Sequence, residues 1–174
     1  SGSAVTRNGD QVNGAGDAAT FNDSEGVLMA EVSTKADSSF KRISLHSGSY
    51  INSVVLDFDN TNTLYGKVFV GGSVVATIPS NNLDIKLNNK VIFKYKANDF
   101  ALWVNGFEVG VDTTGNTPSG LNTLSFDLAT GQPFYGKTSQ IQYFNTALTD
   151  SELEKLTSWV SFEDMANGQQ YSIK

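Results

Sequence analysis

The sequence predicts an all-β fold, a two-sheet antiparallel jelly-roll sandwich with one short C-terminal helix. Three observations carry this. Apolar and polar residues alternate at period two through segment after segment between residues 26 and 145, the pattern of strands with one buried and one open face. The 174-residue chain has 16 Gly and only 3 Pro, and Asn, Asp and Gly cluster between the alternating segments, which suits strands joined by tight turns. A clear helix-start signature falls only near the end, at Thr149.

Taken in order, Ser1-Gly2-Ser3 reads as a cloning remnant, and residues 6–23 as a polar, Gly-rich lead-in with at most one short edge strand. Strands are expected over 26–33, 41–46, 51–58, 64–71, 73–79, 90–97, 100–105, 107–112, 122–127 and 138–145. Between them stand turn residues at Asp59-Asn60-Thr61-Asn62, Gly71-Gly72, Asn88-Asn89, Asn98-Asp99, Asn105-Gly106 and Thr130-Gly131. Asn105-Gly106 is the strongest hairpin signal, because a type I′ turn needs positive φ at both central residues. One parity is assigned to the core: Val54, Leu56 and Phe58, then Leu64, Val68 and Val70, then Val91, Phe93 and Tyr95, then Phe100, Leu102 and Val104. The other parity faces outward and carries Asp57 and Asp59, Tyr65, Lys67 and Phe69, Lys94 and Lys96, and Trp103. A chain of this length suits two stacked sheets better than a closed barrel.

The helix is expected over Asp150–Thr157. Thr149 and Glu152 form a capping box, Leu148 and Leu153 the hydrophobic staple around it, and Leu153 with Leu156 the buried side. A helix this short owes its stability to docking on the sheet. Residues 161–166 add a further turn or two with Phe162 and Met165 inward, and Trp159 between the two pieces reads as a packing anchor.

Composition excludes several chemistries. With no Cys there is no disulfide, thiolate zinc site or cysteine nucleophile, and a single His leaves no multi-histidine metal site. A net charge of −6 without any basic run excludes a nucleic-acid partner held through phosphates. No apolar stretch approaches the roughly 20 residues of a membrane-spanning helix, so membrane insertion is not expected.

The run from Lys90 to Gly106, with its Phe100-Ala-Leu-Trp-Val-Asn-Gly106 strand and turn, resembles the hairpin of laminin-G-like, concanavalin-A-like lectin/glucanase domains. Pro133 to Lys137 and Ile141 to Leu153 resemble that family's closing strand and helix, in the family's order. Ala19 to Leu28, with Leu156 to Met165, resembles the version found at the C-termini of bacteriophage tail and appendage proteins, and also secreted proteins of marine Bacteroidetes-type bacteria. The resemblance implies a non-catalytic, glycan-binding module, virion-associated or extracellular, with a host-surface polysaccharide as partner and other virion subunits as further contacts. Two other readings stay open: a structural or assembly domain that binds no sugar, and a divergent polysaccharide-active enzyme.

Glycosidases of this fold resemble one another in a Glu-x-Asp-x-x-Glu strand motif, which is missing here; the nearest pair, Asp57 and Asp59, reads as polar residues beside a turn. His46 lies on an outward parity and reads as a surface histidine without a nucleophile elbow nearby. Laminin-G-like relatives often hold calcium at a loop rim, and Asp57, Asp59, Asn60 and Asn62 are the candidate donors because hard cations favour such oxygens. The spacing is not that of an EF-hand, since Val68 stands where a bidentate Glu is required. The same residues equally make a β-turn whose Asn side chains bond their own backbone. For a sugar, the expected surface is Trp103 with the strand carrying Tyr65, Lys67 and Phe69, because a flat aromatic face receives axial C–H groups while charged groups bond the hydroxyls. The competing expectation is that a loop, the terminal helix or a partner subunit covers Trp103.

Overall fold

The computed structural model describes residues 15–35, 40–81, 83–128 and 132–168. The tripeptide Ser1-Gly2-Ser3, the Thr130-Gly131 turn and the Phe162 side chain lie outside the described residues. Ten strands and two helices follow one another: β1 (Glu25–Thr34), β2 (Lys41–His46), β3 (Ser53–Phe58), β4 (Leu64–Val70), β5 (Ser73–Ser80), β6 (Asn89–Lys96), β7 (Phe100–Val104), β8 (Phe107–Asp112), β9 (Thr123–Ser125), β10 (Gly136–Phe144), α1 (Asp150–Thr157) and α2 (Phe162–Gly168). The described part of the lead-in, 15–24, forms turns and no strand, and the segment expected over 122–127 pairs only through the three residues of β9.

The strands form two antiparallel five-stranded sheets, ordered β10-β1-β6-β7-β8 and β5-β4-β3-β2-β9, stacked as a jelly-roll sandwich. The turns that need left-handed backbone have it: Asn105 and Gly106 sit at φ 51° and 89° between β7 and β8.

The inner faces carry the parity read from the sequence. Val54, Leu56, Phe58, Leu64 and Val68 from the second sheet meet Val91, Phe93, Tyr95, Phe100 and Leu102 from the first, all buried, while Val70 is only partly covered. Tyr95 brings a hydroxyl into this core, and it finds partners: it donates to the Asn22 carbonyl at 2.6 Å and lies 2.9 Å from the Tyr143 hydroxyl. Those bonds fasten the lead-in to the β1–β10 side of the sandwich.

The first sheet also has a covered outer face. Val27, Met29, Ile92, Ala101 and Trp103 form a second apolar cluster there with Leu153 of α1, and Leu148, Leu156 and Phe144 pack at its margin. The helix begins where expected: the Glu152 carboxylate accepts from the Thr149 N–H at 2.8 Å and from its hydroxyl at 2.7 Å. Lys94, buried on the same outer face, pairs with Asp99 at 2.7 Å and stands 4.0 Å from Asp150 in the first turn of α1.

Candidate functional site

Since α1 packs against β6, β7 and β8, and Met165 of α2 lines a groove with Gly106 and Phe107, both helices lie on the side of the first sheet. The outer face of the second sheet carries neither of these helices; Ser44, Ser53, Val55 and Asp57 at its centre are buried, and Arg42, Tyr65, Lys67 and Phe69 around them are partly exposed. Its rows follow from the register. Arg42 stands opposite Asp57, which stands opposite Tyr65; Ser44 faces Val55 and then Lys67; His46 faces Ser53 and then Phe69. All these side chains share one face, because each strand contributes alternate residues.

The centre of this face is an ion triplet. Asp57 is 1% exposed and receives Arg42 Nε at 2.9 Å on one oxygen and Lys67 Nζ at 2.6 Å on the other. A carboxylate on the middle strand would be stranded without partners, so cations on the two flanking strands fold over it. Neither cation is exhausted by this. Arg42 has further guanidinium N–H groups and leans on the exposed Phe40 ring, 5.4 Å from its centroid. Lys67 stacks 4.4 Å from the centroid of Tyr65. At the far end Phe69 meets the exposed Tyr50 edge-on, with centroids 6.4 Å apart. The result is a charged centre with aromatic rings at both ends.

Beside the triplet runs a chain of hydrogen bonds. The Gly48 N–H donates to His46 Nδ1 at 3.0 Å, so the neutral ring carries its proton on Nε2 and donates to Ser125 Oγ at 3.0 Å. Ser125 in turn donates to the Asp127 carboxylate at 3.0 Å. This direction leaves no lone pair on Nε2 to take a proton from Ser125, so the pair is not arranged as nucleophile and base. His46 is corrected from a surface residue to one that is 6% exposed. Burial holds its pKa below the usual 6.5, against an opposing pull from the Asp127 charge. Its neutral form thus contributes stability that is complete above pH 6.5 and is lost as the pH falls through the lowered folded-state value. Urea midpoints between pH 7.5 and 5 should decline for the wild type, and His46→Gln should remove that part of the decline.

The expected calcium donors do not form one donor set. Asp57 is turned to the sheet face and saturated by two cations, whose charge opposes a metal ion at the same place. Asp59 instead caps its own loop, accepting from the Thr61 N–H at 2.7 Å, the Thr61 hydroxyl at 2.6 Å and the Thr63 N–H at 3.0 Å. Burial pushes the Asp59 carboxyl up, but those hydrogen bonds and the Lys67 charge outweigh it and hold the group below its ordinary value. The Asn62 side-chain oxygen accepts the Ile85 N–H at 3.1 Å, and Asn60 is exposed at the loop tip. Asp59 and Asn62 thus serve the self-bonded turn that the sequence also allowed, and among the described residues no three His, Cys, Asp or Glu side chains cluster as metal ligands.

The aromatic surface expected for a sugar is also corrected. Tyr65, Lys67 and Phe69 do share a face, but Trp103 belongs to the other sheet and lies 7% exposed beneath α1. The four residues stand on opposite sides of the sandwich. Sequence reasoning picked out Tyr50 as a further aromatic near a loop but missed Arg42 and Phe40. Arg42 had a signal, since it shares the outward parity of its strand with His46, but its position opposite Asp57 depends on the strand register.

No family model and no curated protein matches this sequence. Solved structures do match in shape. The CBM40 module of Ruminococcus gnavus IT-sialidase bound to α2,3-sialyllactose aligns with a TM-score of 0.66 at 17% identity, covering 79% of this chain and 84% of that one. The same module bound to α2,6-sialyllactose aligns at 0.65 and 17%, covering 87% of this chain and 97% of that one. A heptameric SAP-like pentraxin from Limulus polyphemus aligns at 0.60 and 15%, covering 79% and 71%. The likeness is one of fold. It agrees with the lectin-type sandwich that the hairpin and closing-strand motifs resemble.

Proposed function

We propose that this chain is a non-catalytic glycan-binding module that receives an acidic glycan on the outer face of β2, β3 and β4. The observation that carries the proposal is the Arg42–Asp57–Lys67 triplet on the sheet face away from the helices, with Tyr65 and Phe69 beside it. Asp57 fixes both cations in place, so their remaining N–H groups are oriented before a ligand arrives and little side-chain entropy is lost on binding. A sugar carboxylate would bond those groups while the ring lies against Tyr65 or Phe69. The sialyllactose held by the R. gnavus module supports the choice of an acidic sugar. The resemblance of Ala19 to Leu28 and Leu156 to Met165 to appendage proteins supports a place on a virion or outside a cell, where weak single-site binding is made effective by multiple copies.

The test is calorimetric titration of 3′-sialyllactose against lactose. Binding should be confined to the acidic sugar and weaken with salt. Tyr65→Ala should weaken it about tenfold, the loss of roughly 1.4 kcal/mol of aromatic contact, at an unchanged melting temperature. Equal response to both sugars, or none, would refute the assignment of an acidic glycan to this face. Silence across a wide glycan array together with a stable oligomer would favour the assembly-domain reading.

A further inference from the structure

We propose a second carbohydrate site, for a neutral pyranose, in the groove between the β7–β8 turn and the junction of α1 with α2. The groove has a volume of about 370 Å³ and lies on the side of the first sheet, away from the Arg42–Asp57–Lys67 face. Its floor and walls combine two aromatic rings with uncommitted polar groups.

Phe107, at the start of edge strand β8, is 73% exposed, the largest exposure of any aromatic ring among the described residues. Trp159 stands across the groove, and Lys90 holds it by placing its ammonium 4.4 Å from the ring centroid while donating to the Ser158 carbonyl at 3.2 Å. The rim is equally fixed. The backbone carbonyl of Glu154 takes both the N–H and the hydroxyl of Ser158, at 2.8 and 2.7 Å, which closes α1 at the groove. Its carboxylate meets no hydrogen-bond or ion-pair partner among the described residues, although it borders the groove. The Ser161 oxygen accepts the Asp164 N–H at 3.1 Å and retains its own proton to donate.

These features select the class of ligand. A carboxylate with two free oxygens accepts from two adjacent hydroxyls, and an exposed ring receives the apolar face of a pyranose. Glu154 is the charged side chain among the residues lining the groove, so the groove disfavours an anion and suits a ligand that offers hydroxyl donors. A concave site with aromatic walls and a few placed polar groups is the usual form of a small-molecule site. The proposal does not depend on the acidic-glycan reading, because the two sites share no residue.

The experiment is an amide and indole NMR titration of the protein with methyl β-D-glucopyranoside, methyl β-D-galactopyranoside and methyl α-D-mannopyranoside. Together these present adjacent hydroxyl pairs in all-equatorial, axial-4 and axial-2 arrangements. Saturable shifts are expected at Gly106, Phe107, Ser158, Ser161 and the Trp159 indole with at least one of them. Phe107→Ala should weaken that binding about tenfold or more, and Glu154→Gln should weaken it too, with melting temperatures unchanged. Phe107→Ala should leave any 3′-sialyllactose binding untouched, so failure at one face is separable from failure at the other. The proposal is overturned if none of the three sugars shifts these signals, or if the shifts survive Phe107→Ala. It is also overturned if sedimentation shows a dimer that Phe107→Ala dissolves, because the ring would then serve a protein contact.

Discussion

Trp103→Ala is expected to lower the stability of this protein by about 3–5 kcal/mol, the range for truncating a large buried aromatic, and to leave the sialyllactose response proposed for the second sheet unchanged. The indole lies on the outer face of the first sheet among Val27, Met29, Ile92 and Ala101, and Leu153 of α1 closes over it. Removing it opens a void under a helix of eight residues, too short to persist without its docking surface. Two effects then add: lost apolar burial at the site, and weakened anchoring of α1. For a chain of 174 residues the melting temperature should fall by on the order of 10 °C. Trp103→Phe should be much milder, about 1 kcal/mol, because the indole Nε1 has no hydrogen-bond partner among the described residues to lose. Differential scanning calorimetry of the two variants checks this. An unchanged melting temperature for Trp103→Ala would place the ring in water and return it to the list of ligand contacts.

Phe93→Ala should be of similar size, about 3–5 kcal/mol, and it should be coupled to Gly66. Phe93 is fully buried between the sheets, and its ring lies directly on Gly66 of β4. A Cβ at residue 66 would come within 2.6 Å of Cε2 and 2.9 Å of Cγ of that ring, so glycine is required by the close approach of the two sheets there. Gly66→Ala alone should therefore cost about 1–3 kcal/mol by overpacking, despite removing a flexible residue from a strand. In the Phe93→Ala background the same methyl occupies part of the cavity, and its effect should become neutral or favourable. Urea midpoints for the four-member cycle should give an interaction energy within the roughly 0.5–3 kcal/mol seen for residues in contact. Strict additivity would mean that the ring and the glycine do not meet.

The alternation from Val54 to Val104 determined which residues enter the core, because side chains of a strand alternate whatever the strand pairs with. The Asn105-Gly106 turn and the Thr149–Glu152 cap were equally legible, since both are set by residues within four positions of one another. Parity names a face only relative to its own strand, however. It could not say that β4 and β7 lie in different sheets, so Trp103 and Tyr65 looked as though they shared one surface. Nor could it say that α1 would cover the outer face of the first sheet and not that of the second. The same holds for Asp57, whose outward parity suggested a solvated or calcium-binding carboxylate until the register set Arg42 on one side and Lys67 on the other. Strand order and register join residues far apart in sequence, as when β1 pairs with both β10 and β6. Those pairings are chosen by how the whole set of apolar faces can be buried at once, so the core was written locally and the candidate site was decided only by the tertiary fold.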